Sequence, residues 1–172
     1  EDSDSYTTAY TLAAAIRKLG NCDLVLTGRQ AADWDAGVVG AGIAELLGVP
    51  VISFAMDVQI EGGAVRVERV LDDGTEIVEA ALPALVTVSN ELGAARAPSL
   101  RETMRAARKP VAVWSAADLG VAPGDIGAAG ARCVRERVFM PVKDNRCEMV
   151  EGASPEAQAA KLAQRLREAK VI

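Results

Sequence analysis

The sequence has no histidine at all. That removes histidine-based triads, most zinc sites and the commonest general base. The prior for hydrolytic chemistry falls, and that for binding or electron carriage rises. Aromatic residues make up 3% of the chain, so its core must be built from Ala, Val, Leu and Ile. No apolar run approaches the ~18–20 residues of a membrane-spanning helix. The opening "EDSDSYTTAY" is acidic and polar, unlike a secretory leader. Cysteines number three, at positions 22, 133 and 147, with no CxxC pair. An odd, scattered set suggests reduced thiols and a cytoplasmic setting. Basic excess is lacking too: the net charge of −5 makes nucleic acid a poor partner.

What is present is α/β patterning. With 172 residues the chain is long enough for one domain with a real core. Leu12, Ile16 and Leu19 recur at helical spacing over Tyr10–Leu19, and Gly20 stops that helix. "CDLVLTG" is a short apolar run before a glycine, the mark of a buried parallel strand. Asp35 is placed to cap a helix running to Leu47, with Gly48 just past its end. "PVISFA" begins the next strand, completing a βαβ-type arrangement. Residues 57–80 then alternate apolar and polar, with turns at Gly62-Gly63 and Asp73-Gly74, and read as antiparallel hairpins. "PALVTVS" is a further buried strand, "SLRETMRAARK" a helix striped by Leu100, Met104 and Ala107, and "PVAVWS" one more strand. Residues 131–150 read as an extended, partly stranded connection. Ser154, Pro155 and Glu156 open a last helix whose apolar stripe, Leu162 and Leu166, is narrow. Because the chain opens on a polar tail and a helix, where an α/β nucleotide fold usually opens on a strand, a further N-terminal portion is expected.

The chemistry concentrates in "TGRQAADWDAGVVGAGIAELLG", Thr27 to Gly48. A glycine after a strand lets backbone approach a ligand closely. The start of the following helix offers free N–H groups and the positive end of a dipole, which suit phosphate. The small residues from Ala36 to Gly42 leave room beside it. The same pattern also fits a tight turn with small residues for packing, and spacing does not separate the two. It is neither a P-loop nor GxGxxG. Asp33 and Asp35 read first as helix-capping residues and second as metal ligands. Trp34 reads first as a packing residue and second as a stacking partner for a base or flavin. Arg29 is either solvated or placed against a phosphate or a flavin edge. The basic face Arg101–Lys109 reads as solvated, with attraction for an acidic partner as the alternative.

These residues resemble a known family. "DLVLTGRQAADWDAGVVGAGIAELLGVP" resembles the signature segment of the electron transfer flavoprotein β subunit: strand, Gly-Lys/Arg-Gln-Ala, acid-rich turn, helix. The likeness continues in "VRVERVLDDGTEIVEAALPALVTVSNEL", in "RAPSLRETMRAARKPVAVWSAADLGV" and in "EGASPEAQAAKLAQRLREAKVI". The resemblance implies a Rossmann-like, mostly parallel sheet with helices on both faces, an antiparallel hairpin insertion at about 57–80, and a C-terminal helical arm. It implies two parts: a nucleotide-binding core over residues 1–138, and an arm over 139–172 that packs on an α subunit. That α subunit would hold most of a redox-active FAD, while this chain would hold AMP or a second FAD. The implied cofactor site is Gly28, Arg29, Gln30, Ala31, Ala32, Asp33, Trp34, Asp35, Ala36, Gly37, Val38 and Val39. Gly37 and Val38 stand where members usually carry a polar residue, which shifts contacts to backbone. The implied role is electron carriage rather than catalysis, from an acyl-CoA dehydrogenase in fatty acid oxidation to a quinone oxidoreductase. Leu100 matches the leucine that anchors on the dehydrogenase, with Arg101 and Arg105 steering the encounter; on spacing alone Leu100 reads as a core residue of its helix, in line with Met104 and Ala107. The rival is a stand-alone adenine-nucleotide-binding sensor module of similar α/β architecture. Such modules usually lack the mid-chain hairpins.

Overall fold

The computed structural model describes residues 2–142 and 147–172. Helix α1 (Ser5–Leu19) leads into strand β1 (Leu24–Gly28), helix α2 (Val39–Leu47) and strands β2 (Val51–Glu61), β3 (Ala64–Leu71), β4 (Gly74–Ala81) and β5 (Ala84–Val88). Helices α3 (Leu100–Ala106), α4 (Ala116–Leu119), α5 (Gly127–Gly130) and α6 (Pro155–Glu168) follow. The chain divides into two compact units, Glu1–Val134 and Arg135–Ile172.

In the first unit the five strands form one sheet in the order β1-β5-β2-β3-β4. β5 lies parallel to β1 and to β2, while β2, β3 and β4 form an antiparallel meander. This is the α/β class the sequence predicts, with the hairpins in their expected place. Gly62 and Gly63 make the first turn because both adopt positive φ, 56° and 85°, as a two-residue hairpin loop requires. The β2 strand runs unbroken from the parallel part into the meander.

The second strand of the parallel core, β5, is buried almost throughout, which is why "ALVTV" is continuously apolar apart from Thr87. Side chains alternate across it. Leu85 meets Ala9, Ala13, Ile43 and Ala44 from α1 and α2. Ala84 and Val86 meet Ile52, Ala55, Val65 and Val67, a cluster drawn from the strands. Small residues let the two helices approach: a Cβ on Gly42 would lie 3.0 Å from that of Ala9.

Several expectations are corrected. α1 starts earlier than its apolar spacing suggests, because Asp4 and Thr7 form a capping box ahead of it. The Asp4 carboxylate accepts Thr7 N–H at 2.8 Å and also the N–H groups of Arg132 and Cys133 at 2.7 and 3.0 Å. The "PVAVWS" segment is no strand: Val111 and Val113 are 84% and 88% exposed. Alternation marks a segment fit for pairing without supplying the edge it pairs with. Residues 131–142 and 147–150 carry no strand either; 143–146 of that stretch lie outside the described residues.

In the second unit α6 begins as its sequence predicts, with Ser154 accepting Ala157 N–H and Pro155 at the first helical position. Arg165 pairs with Glu148 at 2.8 Å. No residue of α6 is buried. Among the described residues no helix is long and apolar enough to cross a membrane.

Candidate functional site

Parallel pairing sets Gly28 of β1 against Val88 of β5 at the carboxyl ends of both strands. Arg29 N–H extends that ladder by one bond, to Val88 O at 2.8 Å. The chain then leaves the sheet as an exposed loop and returns at α2. In open α/β sheets this position, outside the carboxyl ends of parallel strands and before a helix, is where ligands bind.

Sequence-predicted residues Gly28, Arg29, Gln30, Ala31, Ala32, Asp33, Trp34, Asp35, Ala36, Gly37 and Val38 are all exposed here, and Val39 is half-buried as the first residue of α2. The loop is shaped by local bonds. Asp33 Oδ1 accepts Trp34 N–H at 2.9 Å, and Asp35 N–H donates to Ala31 O at 2.9 Å. Asp35 and Gly37 both take positive φ, 51° and 65°. Asp35 is therefore a turn residue, not the cap of α2: that helix starts at Val39, four residues further on, with Val38 at its cap. Trp34 is 62% exposed. A Cβ on Gly37 would meet the Gln30 side chain, with Oε1 nearest at an ordinary 3.5 Å, so backbone conformation rather than space demands glycine.

Helix α2 starts at Val39 with Val38 at the cap, and no side chain bonds to its first turn. Its first internal bond runs from Gly42 N–H to Val38 O at 2.9 Å. The N–H groups of Val39, Gly40 and Ala41 thus have no helical acceptor and carry the positive end of the dipole. Two residues that sequence reasoning did not select complete this corner. Gly40 brings the helix hard against the sheet: a Cβ there would lie 2.6 Å from Thr27 Oγ1 and 2.8 Å from Thr87 Cγ2. Thr27 Oγ1 itself is buried and has no hydrogen-bond partner among the described residues. An unsatisfied buried hydroxyl is costly, so one beside an open helix start fits a bound acceptor such as a phosphate oxygen. The only sequence signal for the pair was a hydroxyl ending the strand and a glycine one residue inside the helix.

The second set of predicted residues lies on α3. Leu100 is its first residue and 78% exposed, and Arg101 and Arg105 are exposed as well. Met104 is 55% exposed and no residue of α3 is buried, so the stripe Leu100, Met104, Ala107 is not a core face. Ser99 caps this helix and exchanges bonds with Glu102, whose carboxyl is held below its usual range first by Ser99 N–H and then by the Ser99 hydroxyl.

Comparison with known proteins agrees with this geometry. A family model described as "Electron transfer flavoprotein domain" matches residues 1–119. The chain is 36% identical over 170 residues to the "Caffeyl-CoA reductase-Etf complex subunit CarD" of Acetobacterium woodii, covering 99% of this chain and 65% of that protein. It is 37% identical over 171 residues to the electron transfer flavoprotein subunit beta of Thermoanaerobacterium thermosaccharolyticum, with the same coverage of 99% and 65%. It is 35% identical over 147 residues to "Protein FixA" of Azorhizobium caulinodans, covering 81% of this chain and 52% of that one. The chain thus spans between about half and two-thirds of the length of these relatives. The matched region contains every strand of the sheet, the loop that follows β1 and the exposed helix α3, and the chain belongs to the electron transfer flavoprotein domain family.

Proposed function

We propose that this chain is the nucleotide-holding part of an electron transfer flavoprotein β subunit. In this reading the residues from Gly28 to Val39 and the start of α2 bind the phosphate of AMP or of a second FAD. The single observation that carries it is the open, uncapped start of α2 beside the unpartnered Thr27 hydroxyl. Val39, Gly40 and Ala41 would donate backbone N–H groups, Thr27 its hydroxyl, and Trp34 a face for an aromatic ring. A flavin, when bound, takes up and passes on electrons, and AMP supplies binding alone. This chain's own part is therefore to bind, orient and present; no step of bond chemistry falls to its side chains.

The remaining roles follow the same family logic. An α subunit holds the redox-active FAD, and residues 139–172 form an arm that packs against it. The electron donor is an acyl-CoA dehydrogenase that docks on Leu100, Arg101 and Arg105. The acceptor is a quinone oxidoreductase, and the setting is the cytoplasm. The relatives' names support an electron-transfer role, and the exposure of Leu100 supports a docking one.

The test is to co-express the full-length β chain with its α partner, purify the complex and identify the nucleotides released by acid. The proposal expects a yellow complex yielding one AMP or one additional FAD per β chain. AMP marks a simple carrier, and FAD marks a chain that holds a second flavin. A complex that yields no nucleotide from the β chain contradicts the proposal.

A further inference from the structure

Phe54 is the outlier of the sheet. It lies inside β2 with φ at 64°, a conformation that is strained for an aromatic residue. The register of β2 slips on both sides of it: against β5 between Ile52 and Ala55, and against β3 between Ala55 and Asp57. An irregularity of this kind re-aims a side chain, and such features gather next to functional sites. Thr87 Oγ1 on β5 accepts Phe54 N–H at 3.1 Å, which fixes the kink. Its outcome is a contact: the Phe54 ring lies under the Arg29 guanidinium, 4.4 Å from ring centre to Cζ.

Arg29 is the sole cation between Thr27 and Gly48, against the carboxylates of Asp33, Asp35 and Glu45. A phosphate brought to this acidic stretch needs a cation to offset the repulsion. A free arginine loses rotamer freedom on engaging a phosphate, whereas one already stacked has lost it beforehand. Stacking uses the face of the guanidinium and leaves its N–H donors in the plane.

We propose that Phe54 is a positioning residue: it holds the Arg29 guanidinium ready at the loop, where Arg29 is the side-chain cation for the nucleotide's phosphate. This rests on the nucleotide reading above and names the residues that set its phosphate affinity.

The test is calorimetric titration of AMP, and of adenosine as the phosphate-free control, into the full-length chain. Arg29→Ala should weaken AMP about ten-fold or more, as loss of a charged hydrogen bond does. Phe54→Leu should weaken AMP by about two- to five-fold, the worth of a cation–π contact at an exposed site, and leave adenosine unchanged. Phe54→Tyr, which keeps the ring face, should restore AMP binding. Added to Arg29→Ala, the Phe54→Leu change should cost nothing further. Unaltered AMP binding by Phe54→Leu, equal loss of AMP and adenosine, or an additive loss in the double variant overturns the positioning role. A parent chain that binds adenosine and AMP equally overturns the phosphate contact. A parent that binds neither AMP nor FAD overturns the nucleotide reading itself.

Discussion

Two connections leave the carboxyl ends of neighbouring parallel strands, and they are built oppositely. After β1 an exposed loop leads to α2, which buries Gly40, Ile43 and Ala44 against the sheet and α1 but receives no side-chain cap. After β5 an exposed loop leads to α3, which buries nothing but is closed by the Ser99–Glu102 capping box. The first helix is held by packing, so its free N–H groups stay available. The second has only its own cap to order it, and its side chains stay available. One end suits an anion met by backbone; the other suits a partner surface met by Leu100. On the proposed function, the first connection would hold the ligand and the second would dock the partner.

The largest effect should follow from attacking the packed helix. Ile43 is 1% exposed, so Ile43→Ala should cost about 2–5 kcal/mol of folding stability, read by denaturant melts. Gly40→Ala should follow at about 1–3 kcal/mol, because the new methyl group meets Thr27 Oγ1 and Thr87 Cγ2. Milder than either, Gly37→Val should cost stability only through its φ of 65°, yet should abolish the proposed nucleotide binding, measured by calorimetry on the full-length chain with its proposed α partner. On α3 the balance reverses. Leu100→Ala should leave the melting temperature nearly unchanged, since the side chain is 78% exposed, while dehydrogenase-coupled flavin reduction slows sharply. An equal loss of stability in Leu100→Ala and Ile43→Ala would erase the contrast.

The smallest effect concerns pH. Asp4 is held well below the usual carboxylate range, first by Thr7 N–H and then by the Thr7 hydroxyl and the N–H groups of Arg132 and Cys133. A depressed folded-state value means its contribution is complete above the ordinary value of 3.8 and is lost as pH falls through the lower, folded value. Stability of the parent should therefore fall more steeply than that of Asp4→Ala below about pH 4, measured by urea titration.

The parallel strands, the hairpin turns and the last helix were legible because each rests on local signals: continuous apolar runs, Gly62-Gly63, and Ser154-Pro155. The α3 face was half legible. Its Leu100–Met104–Ala107 spacing predicts helix correctly but says nothing of what lies opposite, and no residue of α3 is buried. The start of α2 was not legible, because Asp35 has the side chain of a cap while the helix starts only at Val39, past the turn around Gly37. Thr27, Gly40 and Phe54 were invisible for one reason. Their roles come from a helix meeting a sheet and a strand slipping its register, and neither leaves a periodic trace. "PVISFAMDV" reads as plain strand across the very residue that kinks it.

The open start of α2 is the proposed seat of the nucleotide's phosphate. The most direct measurement is residue-resolved amide hydrogen exchange on the full-length chain with and without saturating AMP. The account predicts slowed exchange at Val39, Gly40 and Ala41 and unchanged exchange across Leu100–Ala106. Bound AMP with no protection at those three amides would contradict it.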